Sequence, residues 1–373
     1  MPKKIFIDAH MFDHGYEGSA TFIRGLYLAL VTKYPNKYQI YLGCKNSTAV
    51  LKAFDNHPSF SIALYKFDNR YLRLLFDIPR LINEISPDIA HFQYFTPLIK
   101  NCKWHVTIHD VIFNDYPQYF SKKYIWFRNI FFRISDLRAD LLSTVSEYSK
   151  ERIAYWYELK LSSLNVIPNA VVHVDKSKLS SKSDLINNFI SNSKSYFLCV
   201  SRFEPRKNQI CLLQAFVHGK YWLKGISLIF VGDKTLDVLD FDSAWKAIPE
   251  EARSYIYLLS GISYSDMQLL YAHALAAIYP SFAEGFGIPP LEAAIHGTPS
   301  LCSKTTAMKE FEFPYSFFFD PNCPNSLEVA INQILENPDR AKAKALDARN
   351  MVRLKYRWEN SADKLHTFLS NVL

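Results

Sequence analysis

Short apolar runs alternate along the chain with longer amphipathic stretches, and this alternation occurs in both halves. Strand-like runs rich in Ile, Val, Leu and aromatic residues lie at 3–9, 38–43, 88–93, 105–110, 196–201, 226–233, 256–261 and 275–281. Apolar residues at helical spacing lie at 21–34, 71–85, 209–219, 265–274 and 291–297. Buried strands that alternate with helices are typical of a parallel sheet covered on both faces. Each half is therefore predicted to be a doubly wound α/β unit.

A polar, serine-rich stretch at residues 173–195 separates the two halves and is predicted to be a linker region. We therefore expect an N-terminal domain at 1–172 and a C-terminal domain that begins at residue 196. Two such domains would face a central cleft. Because ligands of open α/β sheets bind beyond the carboxyl ends of the strands, the loops after the strands are predicted to carry the chemistry.

Length and composition agree with this organisation and exclude several classes of protein. The 373 residues suffice for two domains that each bury a core. With 49% hydrophobic and 21% charged residues, the chain is neither disordered nor fibrous in composition. No run of eighteen apolar residues occurs, so no membrane span or secretory signal is expected. The six cysteines lack any Cys-x-x-Cys pair, which favours reduced thiols and a cytoplasmic location.

The loop after the strand at 196–201 reads RFEPRKN and is rich in positive charge. Arg202 and Lys207 are predicted to lie beside the N-terminus of the next helix, where free backbone N–H groups add partial positive charge. This arrangement predicts a phosphate or diphosphate site, and the net charge of +7 also favours an anionic partner. The alternative is that these charges are merely solvated in a surface turn.

The stretch EGFGIPPLE, residues 284–292, places two carboxylates on either side of a turn. Its glycines allow a close backbone approach to a ligand, and Pro289 and Pro290 are typical of a helix start. Glu292 is therefore expected in the first helical turn, where it could accept hydrogen bonds from a ribose diol. Glu284 is expected to point toward the cleft. The alternatives are a glycosidase acid pair, or a helix-capping acid beside a surface acid.

Three stretches of the chain resemble family 4 retaining glycosyltransferases of the GT-B fold. They are SRFEPRKN, the segment 260–303, and TVSEYSKERI followed by VIPNAV. The resemblance runs from IDAH at 7–10 to RWENSADKL at 357–365. It is nearest to the mannosyl- and rhamnosyltransferases of O-antigen and surface polysaccharide assembly. It implies two Rossmann-like domains facing a cleft, an acceptor-binding one at 1–172 and a donor-binding one at 196–354. Residues 355–373 would then form a final helix that crosses back onto the first domain.

The resemblance implies roles for individual residues. Arg202 and Lys207 match the family's Arg and Lys that hold the donor diphosphate and stabilise the leaving nucleotide. Glu284 and Glu292 match the Glu-x7-Glu element, with Glu284 on the donor sugar and Glu292 on the ribose. His109 resembles the histidine of the first domain that faces the sugar near the reacting carbon. A structural hydrogen-bonding histidine is the alternative for His109.

Two glycine-containing loops are implied to contact the donor. The backbone around Gly285, Phe286 and Gly287 is expected to approach the donor sugar. Many relatives carry Gly-Gly or Gly-Ile-Gly before the first helix, whereas this chain reads HMFDHGYEGSATFIRG. Gly15 and Gly18 stand in for that pair, and Gly18 is taken as the donor contact.

The implied reaction is retaining, with front-side attack and no covalent nucleophile on the protein. The nucleotide-diphosphate sugar is a substrate, so no cofactor is expected, and the acceptor is a glycan or a lipid-linked glycan. The histidines and aspartates at 8–14 have a ligand-like spacing, and DFD at 240–242 matches an Asp-x-Asp metal motif. A loop after the first strand explains the residues at 8–14 as well as a metal site does, and a helix cap is the favoured explanation of DFD, so no metal is predicted.

The segment 120–141 mixes basic and aromatic residues, and Ser121 is predicted to cap a helix there. Tyr124, Phe127, Phe131 and Ile134 form one helical stripe. An anionic membrane surface at the inner face of the plasma membrane is therefore one expected partner. The alternative is a core-packed helix with a solvated basic edge.

Proteins of other classes fit the sequence less well. A dinucleotide oxidoreductase would require Gly-x-Gly-x-x-Gly after the first strand, which the chain lacks. A nucleic-acid-binding protein would explain the positive charge, yet no recognised module or basic stripe is present, and no nucleic acid is expected. A nucleotide-sugar epimerase of the GT-B type and a catalytically silent GT-B scaffold remain the alternatives.

Overall fold

The computed structural model describes residues 1–13, 18–172, 183–191, 195–234 and 239–373. The chain divides into two units. Unit 1 comprises residues 1–170 and 356–373, and unit 2 comprises residues 171–355. Each unit contains one parallel sheet with helices, so the predicted pair of doubly wound α/β domains is confirmed.

The sheet of unit 1 has seven parallel strands. They are β1 (Lys3–Asp8), β2 (Tyr38–Cys44), β3 (Phe60–Leu64), β4 (Ile89–Gln93), β5 (Lys103–Thr107), β6 (Leu141–Thr144) and β7 (Leu164–Val166). Their order in the sheet is β3-β2-β1-β4-β5-β6-β7, so the direction of winding reverses between β1 and β4. Ile5, Phe6 and Ile7 of β1 are fully buried, which explains the continuous apolar run.

Among the described residues of 1–170 there are seven α-helices. They are α1 (Gly18–Lys33), α2 (Ser47–Ala53), α3 (Arg70–Leu72), α4 (Ile78–Ile85), α5 (Ile112–Asp115), α6 (Lys122–Arg138) and α7 (Glu147–Tyr157). Short 3₁₀ helices lie at His10–Asp13, Pro117–Tyr119 and Leu161–Ser163, and a π-helical turn at Arg73–Asp77 joins α3 to α4. The predicted cap of α6 is confirmed, because Ser121 Oγ accepts the backbone N–H of Tyr124 at 3.2 Å.

The sheet of unit 2 has six parallel strands in the order β10-β9-β8-β11-β12-β13. They are β8 (Tyr196–Val200), β9 (Ser227–Val231), β10 (Ile256–Leu259), β11 (Ala276–Tyr279), β12 (Ser300–Ser303) and β13 (Phe318–Phe319). Its helices are α8 (Asp184–Ser191), α9 (Gln209–His218), α10 (Leu239–Ala247), α11 (Glu250–Arg253), α12 (Tyr264–His273), α13 (Ile288–Ile295), α14 (Pro324–Glu336) and α15 (Pro338–Lys355). Its 3₁₀ helices are Pro205–Lys207, Tyr221–Lys224, Thr306–Glu310 and Tyr315–Phe317.

The segment 173–195, predicted to be a linker, lies partly outside the described residues, which omit 173–182 and 192–194. Most of the described part is helix α8, whose Ile186 and Phe189 are buried. The Phe189 ring packs edge-on against Tyr257, with ring centroids 4.8 Å apart. This part of the segment is therefore packed into unit 2.

The last helix, α16 (Trp358–Val372), packs against α1 in unit 1. Lys33 pairs with Asp363 at 2.6 Å, and the His366 ring stacks on Tyr34 with centroids 3.8 Å apart. Trp358 is buried beside α1. The chain therefore returns to unit 1 after completing unit 2.

Candidate functional site

The winding direction of the sheet in unit 2 reverses between β8 and β11. Open α/β sheets bind ligands beyond the carboxyl ends of the strands at such a reversal. The loop 201–208 follows β8 and the loop 280–287 follows β11. Since both loops contain predicted site residues, the topology brings the two sequence motifs together.

The two loops meet through charged side chains. Lys207 Nζ lies 2.6 Å from Glu284 Oε1, and the Arg206 guanidinium donates to Glu284 Oε2 at 3.2 Å. Arg206 also pairs with Glu204 at 3.0 Å. The structure thus joins the predicted residues Lys207 and Glu284 and adds Arg206 as a second cation on the same carboxylate. Arg202 is exposed on the same loop.

Glu284 stays ionised in this environment. Burial alone would raise the pKa of its carboxyl group, but the charges of Lys207 and Arg206 outweigh burial and lower the pKa to about 2. A carboxylate that is ionised near neutral pH accepts hydrogen bonds and cannot act as a general acid there. The glycosidase acid pair is therefore disfavoured at this site.

Side-chain hydrogen bonds to carbonyl groups hold the loop 201–208 in place. Asn208 has a left-handed backbone conformation (φ 55°), and its amide donates to the carbonyls of Pro280 at 3.1 Å and Pro321 at 2.9 Å. The Gln209 amide donates to the Arg202 carbonyl at 2.7 Å. Because the backbone is fixed before any ligand binds, the loop is preorganised to present its cations.

Thr306, the first residue of the 3₁₀ helix that follows β12, supports Glu284. The backbone N–H of Glu284 donates to Thr306 Oγ1 at 2.9 Å. Thr306 is buried and has a positive φ of 46°, which is rare for a β-branched residue. Neither Thr306 nor the role of Arg206 was predicted from the sequence. The basic Arg-Lys doublet was a visible signal for Arg206, whereas no local pattern predicts a threonine contact 22 residues away.

The residues Gly285, Phe286 and Gly287 complete the loop after Glu284. Gly287 has a φ of 97°, and a Cβ at this position would lie 3.0 Å from Met308 Cγ, so glycine is required there. The Phe286 ring is buried and packs edge-on against Phe311. The Phe286 ring thus anchors the loop in the core, and the approach of this backbone to a donor sugar stays a prediction.

The predicted position of Glu292 in the first helical turn is wrong. Helix α13 begins at Ile288 with a proline in its first two positions, so Glu292 is its fifth residue and lies past the first turn. The Tyr271 hydroxyl donates to Glu292 Oε2 at 2.9 Å. Burial raises the pKa of Glu292 more than this hydrogen bond lowers it. The helix dipole therefore does not explain why a glutamate occupies position 292. Its contact with a ribose stays a prediction.

His109 lies just after β5 in unit 1, and its side chain is buried. Its Nε2–H donates to Gln93 Oε1 at 2.7 Å, and its ring packs edge-on against Phe22. The Thr144 hydroxyl donates to its backbone carbonyl at 3.2 Å. Burial lowers the pKa of His109 to about 4, so the ring is neutral near pH 7. Its contact with a sugar stays a prediction.

Gly18 is the first residue of α1, and it is exposed. A Cβ at Gly18 would meet no atom within 4 Å, so the local structure does not require glycine there. Gly15 and His14 lie outside the described residues. Gly18 as a donor contact stays a prediction.

The patterns that resembled metal sites have other partners in the described parts of the chain. Among the described residues, no group of three or more His, Cys, Asp or Glu side chains is placed to bind a metal ion. Asp240 and Asp242 lie in the first turn of α10, and Asp242 pairs with Lys234 at 2.6 Å. Asp8 and His10 pair with each other at 3.0 Å.

The buried histidines of unit 1 predict acid sensitivity. The His91 and His105 rings stack with centroids 3.8 Å apart, and burial lowers the pKa of His105 to about 3, as it lowers that of His109 to about 4. An unfolded histidine titrates near 6.5, so the unfolded chain binds more protons between pH 7 and pH 4. Stability is therefore lost as the pH falls through this window. Asp136, whose pKa burial raises to about 6, opposes this loss in part.

We expect the free energy of unfolding to fall by on the order of 3 kcal/mol from pH 7 to pH 4. Urea unfolding followed by circular dichroism at a series of pH values measures this change. The variant His105→Asn should flatten the profile. A flat profile in the wild type would contradict the assignment of neutral, buried histidines.

Helix α6 has one buried and one exposed side. Phe132, Ser135 and Asp136 are buried, whereas Trp126 is 68% exposed and Ile130 is 39% exposed. The helix is therefore core-packed on one side, as the alternative held, and apolar on its exposed side. In the part of the chain that the structure describes, no helix has the length and apolar character needed to cross a bilayer.

The exposed apolar surface continues onto the neighbouring segment 70–77. Tyr71, Leu72, Leu75 and Phe76 are each between 38% and 57% exposed. The Arg70 guanidinium lies 5.5 Å from the centre of the Phe127 ring of α6, which joins the two segments. We refer to these four exposed residues of 70–77, together with Trp126 and Ile130 of α6, as the amphipathic surface. Only its α6 part was predicted from the sequence.

Two family models match this chain, one in each half. The family described as Glycosyltransferase Family 4 matches residues 18–173, and the family described as Glycosyl transferases group 1 matches residues 182–351.

Named relatives match over much of the chain. The O-antigen chain mannosyltransferase RfbU of Salmonella typhimurium is 28% identical over 275 residues, which are 74% of this chain and 70% of that protein. The O-antigen chain mannosyltransferase B of Escherichia coli is 28% identical over 273 residues, which are 68% of this chain and 66% of that protein. The structure of Anabaena HepE in complex with UDP-glucose matches with a TM-score of 0.74 at 16% identity, covering 100% of both chains.

Proposed function

Because this chain belongs to glycosyltransferase family 4 and has the GT-B fold, we propose that it transfers a hexose from a nucleotide-diphosphate sugar to a glycan acceptor. The observation that carries the proposal is the contact of Lys207 and Arg206 with the ionised Glu284 at the strand reversal of unit 2. The acceptor belongs to bacterial surface polysaccharide or O-antigen assembly. Mannose, followed by rhamnose, is the favoured sugar, since both named relatives are mannosyltransferases.

Charge neutralisation at the donor diphosphate is the proposed main contribution of the protein. Lys207 and Arg202 bind the diphosphate and stabilise the negative charge that develops as the bond from the sugar to the phosphate breaks. When the Lys207 side chain turns to the phosphate, the positive charge of Arg206 balances the negative charge of Glu284. Glu284 accepts hydrogen bonds from the sugar hydroxyls and orients the reacting carbon.

We propose that the transfer retains the anomeric configuration and requires no metal ion. The acceptor oxygen bonds to the anomeric carbon on the face that the phosphate leaves, and the leaving phosphate oxygen takes the acceptor's proton. No side chain forms a covalent bond with the sugar in this scheme. The cations of the loop 201–208 supply the positive charge that a metal ion would otherwise provide.

The test is a transfer assay with GDP-mannose, dTDP-rhamnose and UDP-glucose in the presence of EDTA. Octyl glycosides of mannose, rhamnose and N-acetylglucosamine serve as acceptors, and NMR coupling constants report the anomeric configuration of the product. We expect transfer with retention and no loss of rate in EDTA. An inverted product, or activity that EDTA abolishes, would refute the mechanism. An epimerised donor without transfer would favour the epimerase alternative.

We also propose that the amphipathic surface binds an anionic membrane, where a lipid-linked acceptor would be found. Its exposed aromatic and aliphatic residues can insert at the headgroup level, and Lys122 and Lys123 at the start of α6 attract anionic lipids. Trp126→Gln is expected to weaken cosedimentation with phosphatidylglycerol vesicles several-fold at low salt. Leu354→Gln, equally exposed but in unit 2, is the matched control. Equal binding by both variants would exclude this surface.

A further inference from the structure

Unit 2 contains a cavity of about 360 Å³ that shares no residue with the loops after β8 and β11. The 3₁₀ helix Tyr315–Phe317, the end of α14 and the start of α15 line this cavity. The 3₁₀ helix precedes β13, and β13 is parallel to β12, so the cavity lies toward the amino-terminal edge of the sheet. The proposed donor site lies at the opposite edge, beyond the carboxyl ends of the strands. The two sites are therefore separate.

Apolar side chains and amide groups both line the cavity. Phe317, Ile334 and Ala341 are buried and supply its apolar part. Gln333 in the last turn of α14 and Asn337 just after this helix supply side-chain amides, which can donate and accept hydrogen bonds. A cavity of this size, with an apolar part and a few polar groups, is typical of a site for a small organic molecule.

The cavity also carries two positive charges. Arg340 and Lys344 both line it, and because they are four positions apart in α15 their side chains lie on the same face of this helix. The Lys344 ammonium group donates to the neutral hydroxyl of Ser316, with Nζ 2.8 Å from Oγ. Among the described residues, no carboxylate lines the cavity, and neither cation forms an ion pair. Since like charges at this spacing repel each other, an anion bound between them would relieve the repulsion.

The charges and hydrogen-bond donors of the cavity match a phosphate group better than a carboxylate. A phosphate ester carries a charge of about −1.5 to −2 near pH 7 and has three strong acceptor oxygens. The planar guanidinium of Arg340 can donate two parallel hydrogen bonds to such oxygens, and Lys344 retains two N–H donors after its bond to Ser316. A carboxylate brings a single charge, so it would leave one of the two cations unbalanced. A phosphate ion alone would not reach the apolar part of the cavity, so the matching ligand also has an organic part.

We propose that this cavity binds a small organic phosphate. Arg340 and Lys344 contact its phosphate group, and the amides of Gln333 and Asn337 contact hydroxyl groups of its organic part. A phosphorylated sugar has both kinds of group. The site is independent of the proposed transfer reaction, because none of its residues takes part in that reaction.

Calorimetric titration of the full chain with glucose 6-phosphate at low salt tests the proposal. Arg340 is exposed and forms no ion pair with a described residue, so Arg340→Gln should leave the fold intact and raise the Kd about tenfold. Lys342→Gln is the matched control, since Lys342 is exposed on the same helix but does not line the cavity. Its Kd, and that of the donor-site variant Lys207→Ala, should equal that of the wild type. Thermal unfolding of each variant reports whether the fold is intact.

A second variant keeps both cations. Gln333→Glu retains the size of the side chain and adds a negative charge to the cavity, so it should weaken binding of glucose 6-phosphate as strongly as Arg340→Gln does. Unchanged binding by folded Gln333→Glu would show that the phosphate binds away from this cavity, which would overturn the proposal.

Three further probes identify the group that is bound. Glucose lacks the phosphate, glucuronate carries a carboxylate in its place, and inorganic phosphate lacks the organic part. We expect no binding of glucose, and binding of the other two that is at least several-fold weaker than that of glucose 6-phosphate. Equal affinity for glucuronate would overturn the assignment of a phosphate group. Equal affinity for inorganic phosphate would overturn the contacts with an organic part.

The remaining outcomes decide where the phosphate binds. No binding of glucose 6-phosphate to the wild-type protein would overturn the proposal, as would equal weakening by Arg340→Gln and Lys342→Gln. Weakening by Lys207→Ala together with unchanged binding by folded Arg340→Gln would place the phosphate at the donor site instead. None of these results would overturn the proposed transfer reaction, which is tested separately with the nucleotide sugars.

Discussion

Replacing Lys207 with alanine is expected to lower kcat/KM for the sugar donor by roughly 10²- to 10³-fold. The ammonium group lies at the strand reversal of unit 2, 2.6 Å from Glu284, on a loop that Asn208 holds in place. A fixed cation stabilises the charge that develops on a departing diphosphate more than it stabilises the bound ground state. The loss should therefore be seen mainly in kcat.

Steady-state kinetics with the preferred donor measure this effect. Lys234→Ala is the matched control, since Lys234 belongs to the same unit and pairs with Asp242 on the exposed surface. Because Arg206 remains 3.2 Å from Glu284, the variant keeps a cation beside the buried carboxylate and should stay folded. A Lys207→Ala enzyme with kcat/KM within threefold of the wild type would show that the diphosphate binds elsewhere.

Replacing Gly25 with alanine is expected to lower the free energy of unfolding of unit 1 by about 3 kcal/mol. A Cβ at Gly25 of α1 would lie 2.1 Å from Cε2 of the Trp358 ring, far inside van der Waals contact. Since Trp358 is buried, the ring has to move, and α16 moves with it. Gly25→Ala should therefore lower the midpoint of urea unfolding even though alanine is the better helix former.

A double variant tests the cause of this effect. Trp358→Ala removes the clashing ring, so Gly25→Ala should cost far less in that background than in the wild type. Gly18→Ala, in the same helix but with open space around its Cβ, should cause no loss of stability. If Gly25→Ala left the unfolding midpoint unchanged, α16 would not be seated on α1 as described.

The central strands and the motif loops could be predicted from sequence because their signals are local. Residues 5–7 of β1 and 196–199 of β8 are buried, and they are apolar as strands covered on both faces require. The loops at 202–208 and 284–287 carry charged residues and glycines, which are typical of ligand-binding loops between a strand and a helix. The family resemblance placed Lys207 and Glu284 in one site, whereas their direct contact was seen only in the structure.

The outer strands were missed for a physical reason. Strands β3, β7 and β13 lie at the edges of their sheets, β6 and β12 lie next to β7 and β13, and these five strands contain two to five residues each. Such short runs show no clear hydrophobic period, and the mainly apolar run FSIAL of β3 resembles many helix fragments. Their pairing depends on neighbouring strands that are distant in sequence.

The remaining differences come from tertiary packing. A proline pair marks a helix start without giving its first residue, which is Ile288, so Glu292 lies just past the first turn and not within it. The contacts of Glu284 with Arg206 and Thr306 join three separate segments. The neutral state of His109 reflects burial, which a single sequence does not reveal.

Calorimetric titration of the wild-type protein with GDP, UDP and dTDP, each without metal, tests the central claim most directly. The claim is that the loops after β8 and β11 form a nucleotide-diphosphate site. We predict that one of the three diphosphates binds with a micromolar Kd and that Lys207→Ala loses this binding. If none of the three binds, the site in unit 2 is not a donor site, and a catalytically silent scaffold becomes the better account.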